Sequence, residues 1–289
     1  MTTVALPAWL LLSLMSMALV GTADLLLRRA TLRGVTPASF MVLQSWFFGP
    51  TALAWAAGTA SLRWSRGLLL GPLAGVLAFV ATYAFLRSLQ APHSQVSVNA
   101  AIYRLNLAVT AVLALVFLGE SVTAAKVTGL VLAVAAVLLL TDTSARRLTM
   151  SAGGVGWAAL AMAAFGLVLF LYKVGVAAGA PPPLLIFGQF CALTTIAFCW
   201  ATWREGGVRF TRAIWMHAPA CGVLNSSGRV LLAWALTSGE ASAAVPVSQM
   251  SFVVTFLLAA PLFGEVITRR KLGGLVAAIL AVLAFSLRQ

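Results

Sequence analysis

Apolar runs of about twenty residues, separated by short breaks rich in Gly, Pro or charge, cover nearly the whole chain. Ten can be marked, near 8–30, 36–57, 68–90, 96–118, 123–141, 154–177, 182–203, 213–236, 241–263 and 269–287. A helix needs about 20 apolar residues to cross the roughly 30 Å hydrocarbon core of a bilayer, so each run predicts a transmembrane helix. Membrane strands would show as alternations of about ten residues, which these solid runs do not resemble. The expected fold is therefore an all-α membrane protein, with the lipid bilayer as its solvent.

The pattern also repeats. GESVTAAKVTGLV at 119–131 returns as GEVITRRKLGGLV at 264–276, an offset of 145. The same offset pairs Gly21 with Gly166, Arg28 with Lys173, Pro37 with Pro182, Gln44 with Gln189 and Trp55 with Trp200. Pro72 and Gly75 match Pro219 and Gly222 at an offset of 147, which assigns about two extra residues to the loop around 91–95. The chain thus divides into two units, 1–145 and 146–289. Five spans per unit is an odd number, so the second copy enters the membrane from the opposite side, and inverted repeats of this kind are a transporter pattern.

Composition agrees: of 289 residues, 62% are hydrophobic and 9% charged, and the mean hydropathy is +1.02. The net charge of +13 does not predict a nucleic-acid partner, because the bases stand singly or in pairs at span ends rather than on one face. Met1 to Ala30 lacks a basic start and a small-residue cleavage site, and reads as a retained first helix. Cys191, Cys199 and Cys221 fall inside spans as packing residues, and His93 and His217 are isolated. Neither set has metal-ligand spacing, so no metal or cofactor is expected.

Polar side chains inside the spans carry the functional expectation, since a charge at mid-helix costs about 2.5–3.5 kcal/mol on insertion scales and tends to face protein or a wet cavity. Asn99, Tyr103, Asn106 and Thr110 share one face of span four, with Ser97 and Arg104 on its flank. Span nine answers with Ser242, Ser248, Ser251 and Thr255, and with Gln249 at the position of Arg104. Arg229 follows Asn225 by four residues in span eight, and Arg87 follows Tyr83 likewise in span three. Asp24 is the acid that lies well inside a span; Arg28, one turn on, predicts an intrahelical pair, and Asp24 is also the candidate for coupling to protons. Gln44 and Gln189 suit either a cavity or interhelical hydrogen bonds. The expected substrate-binding set is Asn99, Tyr103, Arg104, Asn106, Asn225, Arg229, Ser248, Gln249, Gln44 and Tyr83, and its surplus of bases points to a small solute bearing a carboxylate.

At the Gly-Glu breaks, Gly119 and Gly264 suit a left-handed turn, and Thr123 and Thr268 suit the N-cap of the next helix. Glu120 and Lys126 read as parts of an interfacial corner. Gly129-x-x-x-Ala133 and Gly274-x-x-x-Ala278 are small-residue ridges for close packing, either between the two units or in a homodimer. Pro246 and the run Pro181 to Pro183 are candidate hinges.

The paired Gly-Glu breaks, the Thr-x-x-Lys-x-x-Gly-Leu-Val that follows each, and Ile102-Tyr103-Arg104-Leu105-Asn106 resemble the drug/metabolite transporter superfamily, specifically its EamA-type members, from about Leu10 to Leu287. The resemblance implies ten helices in two inverted repeats and a secondary carrier, often an exporter of amino acids, metabolites or drugs, in a bacterial inner membrane. It also implies a central cavity lined by spans one, three, four, six, eight and nine, and cytoplasmic termini. The charges oppose that orientation. Arg28, Arg29, Arg33, Arg87, Arg146, Arg147, Arg204, Arg209, Arg212, Arg269, Arg270 and Lys271 lie near odd-numbered loops, against Arg63, Arg66, Lys126, Lys173 and Arg288 on the other side. A membrane-embedded enzyme finds no paired carboxylates or nucleophile-base constellation at one depth. A lipid-translocating or structural membrane protein is the other alternative.

Overall fold

The computed structural model describes residues 6–31, 33, 37–90, 96–140, 152–204, 206–263 and 268–287. Among them there is no strand, and the chain runs through twelve α-helices: α1 (Ala8–Thr31), α2 (Pro37–Gly58), α3 (Leu70–Gln90), α4 (Val96–Arg104), α5 (Asn106–Phe117), α6 (Ala124–Leu140), α7 (Ala152–Ala177), α8 (Pro182–Arg204), α9 (Arg212–Ser238), α10 (Ala241–Gln249), α11 (Ser251–Phe263) and α12 (Arg269–Ser286). Every expected span is helical. Among the described residues six stretches are long and apolar enough to cross a membrane: Ala8–Leu27, Arg66–Ser88, Val98–Phe117, Gly153–Ala177, Pro182–Arg204 and Ala241–Ala259.

Spans four and nine each consist of two helices, with breaks at Leu105 and Met250, positions that match at the offset of 145. Pro246 lies one turn before the second break, yet span four breaks without a proline. There the Asn106 side-chain amide donates to the Tyr103 carbonyl at 2.7 Å, and a side chain set into the backbone ladder is a recognised cause of helix interruption. The proline alone therefore does not explain the feature.

The units are clasped together at these breaks. A Cβ on Gly21 of α1 would lie 2.5 Å from the Ser251 carbonyl oxygen and 2.7 Å from Val254 Cβ of α11, and a Cβ on Gly166 of α7 would lie 2.7 Å from Val109 Cβ of α5. Threonines seal both crossings: Thr255 Oγ1 donates to the Gly21 carbonyl at 2.9 Å, and Thr110 Oγ1 to the Gly166 carbonyl at 2.9 Å. The remaining packing follows the same exchange. α1 packs on α9 as α3 does on α7, α2 on α9 as α3 on α8, and α6 on α12 and α2 on α8 across the units. Gly129 meets the Phe285 ring and Gly274 meets Leu139 and Leu140. The two small-residue ridges thus brace α6 against α12.

The Glu120 corner is also a tie between units. Gly119 takes the left-handed conformation with φ 63, and Thr123 Oγ1 accepts from Lys126 N at 3.3 Å, as Thr268 Oγ1 does from Lys271 N. Glu120 reaches across to α10, where its carboxylate accepts from Ala241 N at 2.7 Å and Ser242 N at 2.8 Å. An anion there caps a helix N-terminus, where free amides and the positive end of the helix dipole both favour it. Lys126 forms an ion pair with Glu240 and donates to the Ser121 carbonyl at 2.7 Å. Lys173 donates to the carbonyls of Leu236 at 3.0 Å and Gly239 at 2.9 Å, closing the C-terminus of α9. The matching corner at 264–267 lies outside the described residues, as do the loop at 91–95 with His93, and Arg146, Arg147 and Arg288.

Cys221 is buried, whereas Cys191 and Cys199 are exposed on the outer surface of α8. The expectation that all three pack inside is corrected to one, because α8 turns its Cys191 and Cys199 face outward.

Gly21→Val and Gly166→Val overpack the crossings and lower stability by about 1–3 kcal/mol each, measured as a fall in apparent Tm in detergent; an unchanged Tm would mean that the contacts are loose. Glu120→Gln weakens the cap of α10 by about 1 kcal/mol and speeds maleimide labelling of a cysteine placed at Ser242, which is 3% exposed.

Candidate functional site

The helix breaks bring polar residues of both units to one depth. Gly21 presses α1 against Ser251, and Asp24 lies one turn further along α1. Arg104, at the end of α4, reaches both: its guanidinium forms an ion pair with Asp24 at 2.9 Å and donates to Ser251 Oγ at 3.1 Å. Ser251 Oγ lies 3.4 Å from the same Asp24 oxygen. Asp24 thus meets a base on another helix; the expected Asp24–Arg28 pair rests on the Arg28 side chain, which lies outside the described residues. Asp24 and Arg104 side chains remain 26% and 24% exposed, so water reaches the pair.

A second cation stands nearby. Arg229 of α9 lies over the Phe165 ring with 5.1 Å to the centroid and contacts the Tyr172 hydroxyl, which donates to Gln189. Among the described residues Arg229 has no carboxylate partner. Tyr103 stacks on Phe85 at 4.5 Å and tilts against Phe165 at 5.6 Å, within electrostatic reach of Arg229, Arg104 and Asp24. Arg104 also lies 5.9 Å from the Phe252 centroid. The result is two guanidinium groups among aromatic rings with one carboxylate between them. Such a site carries net positive charge and apolar walls, and suits an anion with an apolar or planar body. The N-termini of α5 and α11 begin at the same breaks and add partial positive charge.

Other expected site residues do different work in this structure. Asn99 donates to the Ser88 carbonyl at 2.7 Å, tying α4 to α3. Ser248 shares a hydrogen bond of 2.7 Å with Ser16 of α1. Asn225 contacts Cys221 Sγ at 3.5 Å, and Cys221 meets the Ala23 carbonyl. Tyr83 accepts from Arg87 Nε at 2.8 Å and sits among Phe79, Trp157 and Trp200. The Gln44 and Gln189 carbonyls receive the close approach of Gly222 and Gly75. Gln249 is buried. Asn106 is buried with no partner for Oδ1, an open acceptor at the break. The sequence reading omitted Phe165, Phe85 and Tyr172 from the site. Tyr172 has Leu27 as its counterpart at the offset of 145, so the repeat carries no signal for it.

The described residues hold no group of three or more His, Cys, Asp or Glu that could bind a metal.

Comparison with known proteins places this geometry in context. A crystal structure of a protein is similar over 98% of this chain and 99% of its own, with a TM-score of 0.82 at 14% sequence identity, a likeness of fold. No curated protein matches the chain. The model of the EamA-like transporter family matches twice, at residues 7–142 and 152–287, one match for each unit. The all-helical chain, with its apolar spans and duplicated halves, is a multi-pass integral membrane protein and belongs to the EamA-like transporter family.

Proposed function

We propose that the chain is a secondary active transporter that exports a small carboxylate-bearing solute, such as an amino acid or organic anion, across a bacterial inner membrane. Ten membrane helices form two inverted repeats, 1–145 and 146–289, which alternate access to a midplane site. The support for inversion is the exchanged packing, in which the main contacts of one unit with the other, α1 on α9, α2 on α9, α1 on α11 and α1 on α10, recur with the roles reversed as α7 on α3, α8 on α3, α7 on α5 and α7 on α4. The observation that carries the substrate class is Arg229, set between Phe165 and Tyr172 without a carboxylate partner among the described residues. A solute carboxylate supplies that partner, while Tyr103 and Phe165 receive its apolar part. Gln44, Asn99, Asn225, Ser248, Gln249 and Tyr83 serve as outer supports of the cavity.

The two ends of the bundle differ in a way that suits alternating access. α10 packs along α5 and all nine of its residues are buried. Among the described residues α4 makes no comparable contact with α11. The Glu120 end is thus the closed one, and solute reaches Arg104 past α4.

Asp24 is the proposed coupling group. It faces Arg104 from α4, Ser251 from α11 and Cys221 from α9, with Tyr103 within electrostatic reach. A carboxylate that takes its place on Arg104 leaves Asp24 without that partner, which links solute binding to the one carboxylate of the site.

Labelled amino acids and organic anions are expected to enter proteoliposomes, and Arg229→Ala is expected to weaken their binding about 30-fold, the effect of about 2 kcal/mol for one charge-assisted contact. Transport of cations alone, or anion transport indifferent to Arg229→Ala, would overturn the reading. Asp24→Asn lowers stability by about 1–3 kcal/mol, less than the full cost of breaking a buried pair because both side chains keep some exposure. The same variant binds anions more tightly and loses the dependence of transport on a proton gradient; retained proton dependence would remove Asp24 from the coupling role.

A further inference from the structure

A second cavity lies at the closed end, along the same helix. Leu236 is seven residues beyond Arg229 on α9, about 10 Å at 1.5 Å per residue, and it lines a cavity of about 550 Å³ together with Trp234 and Thr237. This volume falls within the usual range for small-molecule sites, about 300–1,000 Å³. Its other walls are the turn after α2 with Thr59, Ser61 and Arg63, the last turns of α7 with Lys173, and the turn at Gly179 leading to α8.

Two observations mark it as a built site. The described residues that line it include two cations, Arg63 and Lys173, and no acid. Lys173 spends two donors on the carbonyls of Leu236 and Gly239; an ammonium has three, which leaves one for a ligand. The nearest acid at that end, Glu120, is committed to the amides of Ala241 and Ser242. The second observation is strain. Ala60, in the wall, has φ 48 and is the one non-glycine residue with positive φ among those described, a conformation that costs about 1–3 kcal/mol. Ala60 N bonds to the Ala57 carbonyl at 3.2 Å and Ser61 N to the Ala56 carbonyl at 2.9 Å, while the Thr59 and Ser61 hydroxyls join at 2.9 Å. The strained turn places both hydroxyls and Arg63 on the same cavity wall.

We infer that this cavity is an outer anion station. It holds a carboxylate or phosphate between Arg63 and the remaining donor of Lys173, against the wall formed by the Thr59–Ser61 turn. The inference rests on the transport reading only for its role, as the stop between the Arg229 site and water at the closed end. The chemistry admits two sources: a free anion, or the headgroup of an anionic lipid, since Leu62 and Trp64 beside Arg63 are 65% and 75% exposed and form an interfacial rim.

The test uses the full-length protein in nonionic detergent and compares wild type, Arg63→Gln, Arg63→Lys and Arg229→Gln. Inorganic phosphate is titrated against apparent Tm, and retained phosphatidylglycerol and phosphatidylcholine are compared by native mass spectrometry. The expected result is binding that is about tenfold weaker in Arg63→Gln, largely restored in Arg63→Lys and unchanged in Arg229→Gln. Phosphate protection with that pattern supports a free-anion station, and selective retention of phosphatidylglycerol with that pattern supports a headgroup station. Binding indifferent to Arg63→Gln, or neither phosphate protection nor phosphatidylglycerol retention in wild type, overturns the inference. Failure of the central site appears separately, as transport indifferent to Arg229→Ala.

Discussion

The structure depends on two glycines that let helices of opposite units touch backbone to backbone. At Gly21 and Gly166 any side chain would occupy the space of the partner helix, and in a bilayer such close approach replaces the hydrophobic drive that lipid does not supply. Each crossing is fixed by a threonine that donates to the glycine carbonyl. Because both crossings fall just after a helix break, they set Leu105 and Met250 at the centre of the bundle. Asp24, one turn beyond Gly21, arrives beside Ser251 and within reach of Arg104. Phe165, next to Gly166, arrives beneath Arg229. The clasp that joins the units therefore assembles the site.

Two guanidinium groups inside a membrane protein require compensation, and the two are compensated differently. Arg104 has an ion pair, a serine and an aromatic face. Arg229 has an aromatic face and a phenol, with no carboxylate among the described residues. Cation–π and neutral hydrogen bonds are each weaker than a charge-assisted pair, so Arg229 keeps the larger unmet demand for an anion. The opposed N-termini of α5 and α11 act in the same direction. The proposed preference for an anion thus rests on how the charges are left over, more than on their number.

The repeat made much of this legible in advance. The offset of 145 placed the spans, and the residue types at the corners foretold the left-handed Gly119 and the caps at Thr123 and Thr268. It also aligned the polar faces of spans four and nine, which do meet the first helices of both units. What it did not yield is partner choice. Sequence separation could offer Asp24 only its neighbour Arg28, whereas the reach of Arg104 from α4 to Asp24 on α1 is a tertiary fact. Nor could it give the helix-to-helix bonds of Asn99 and Ser248, because a polar face has the same pattern whether it meets a solute or a neighbouring helix. The break at Leu105 was invisible because no proline or glycine marks it, and Tyr172 was missed because its repeat partner is Leu27.

The same register explains why two nearly equivalent units need not sit in equivalent positions. At its corner Glu120 caps α10, and Lys126 pairs with Glu240. The sequence repeats Glu120 as Glu265 and Lys126 as Lys271, but the position matching Glu240 is Gln95. An amide lacks the opposite charge that a carboxylate offers a lysine, so the two copies do not carry the same ion pair in their sequences. The sequence therefore repeats the carboxylate and the lysine of the corner in both copies, and the acid at 240 in one. Departures of this kind let two copies of one unit carry different ties at their corners.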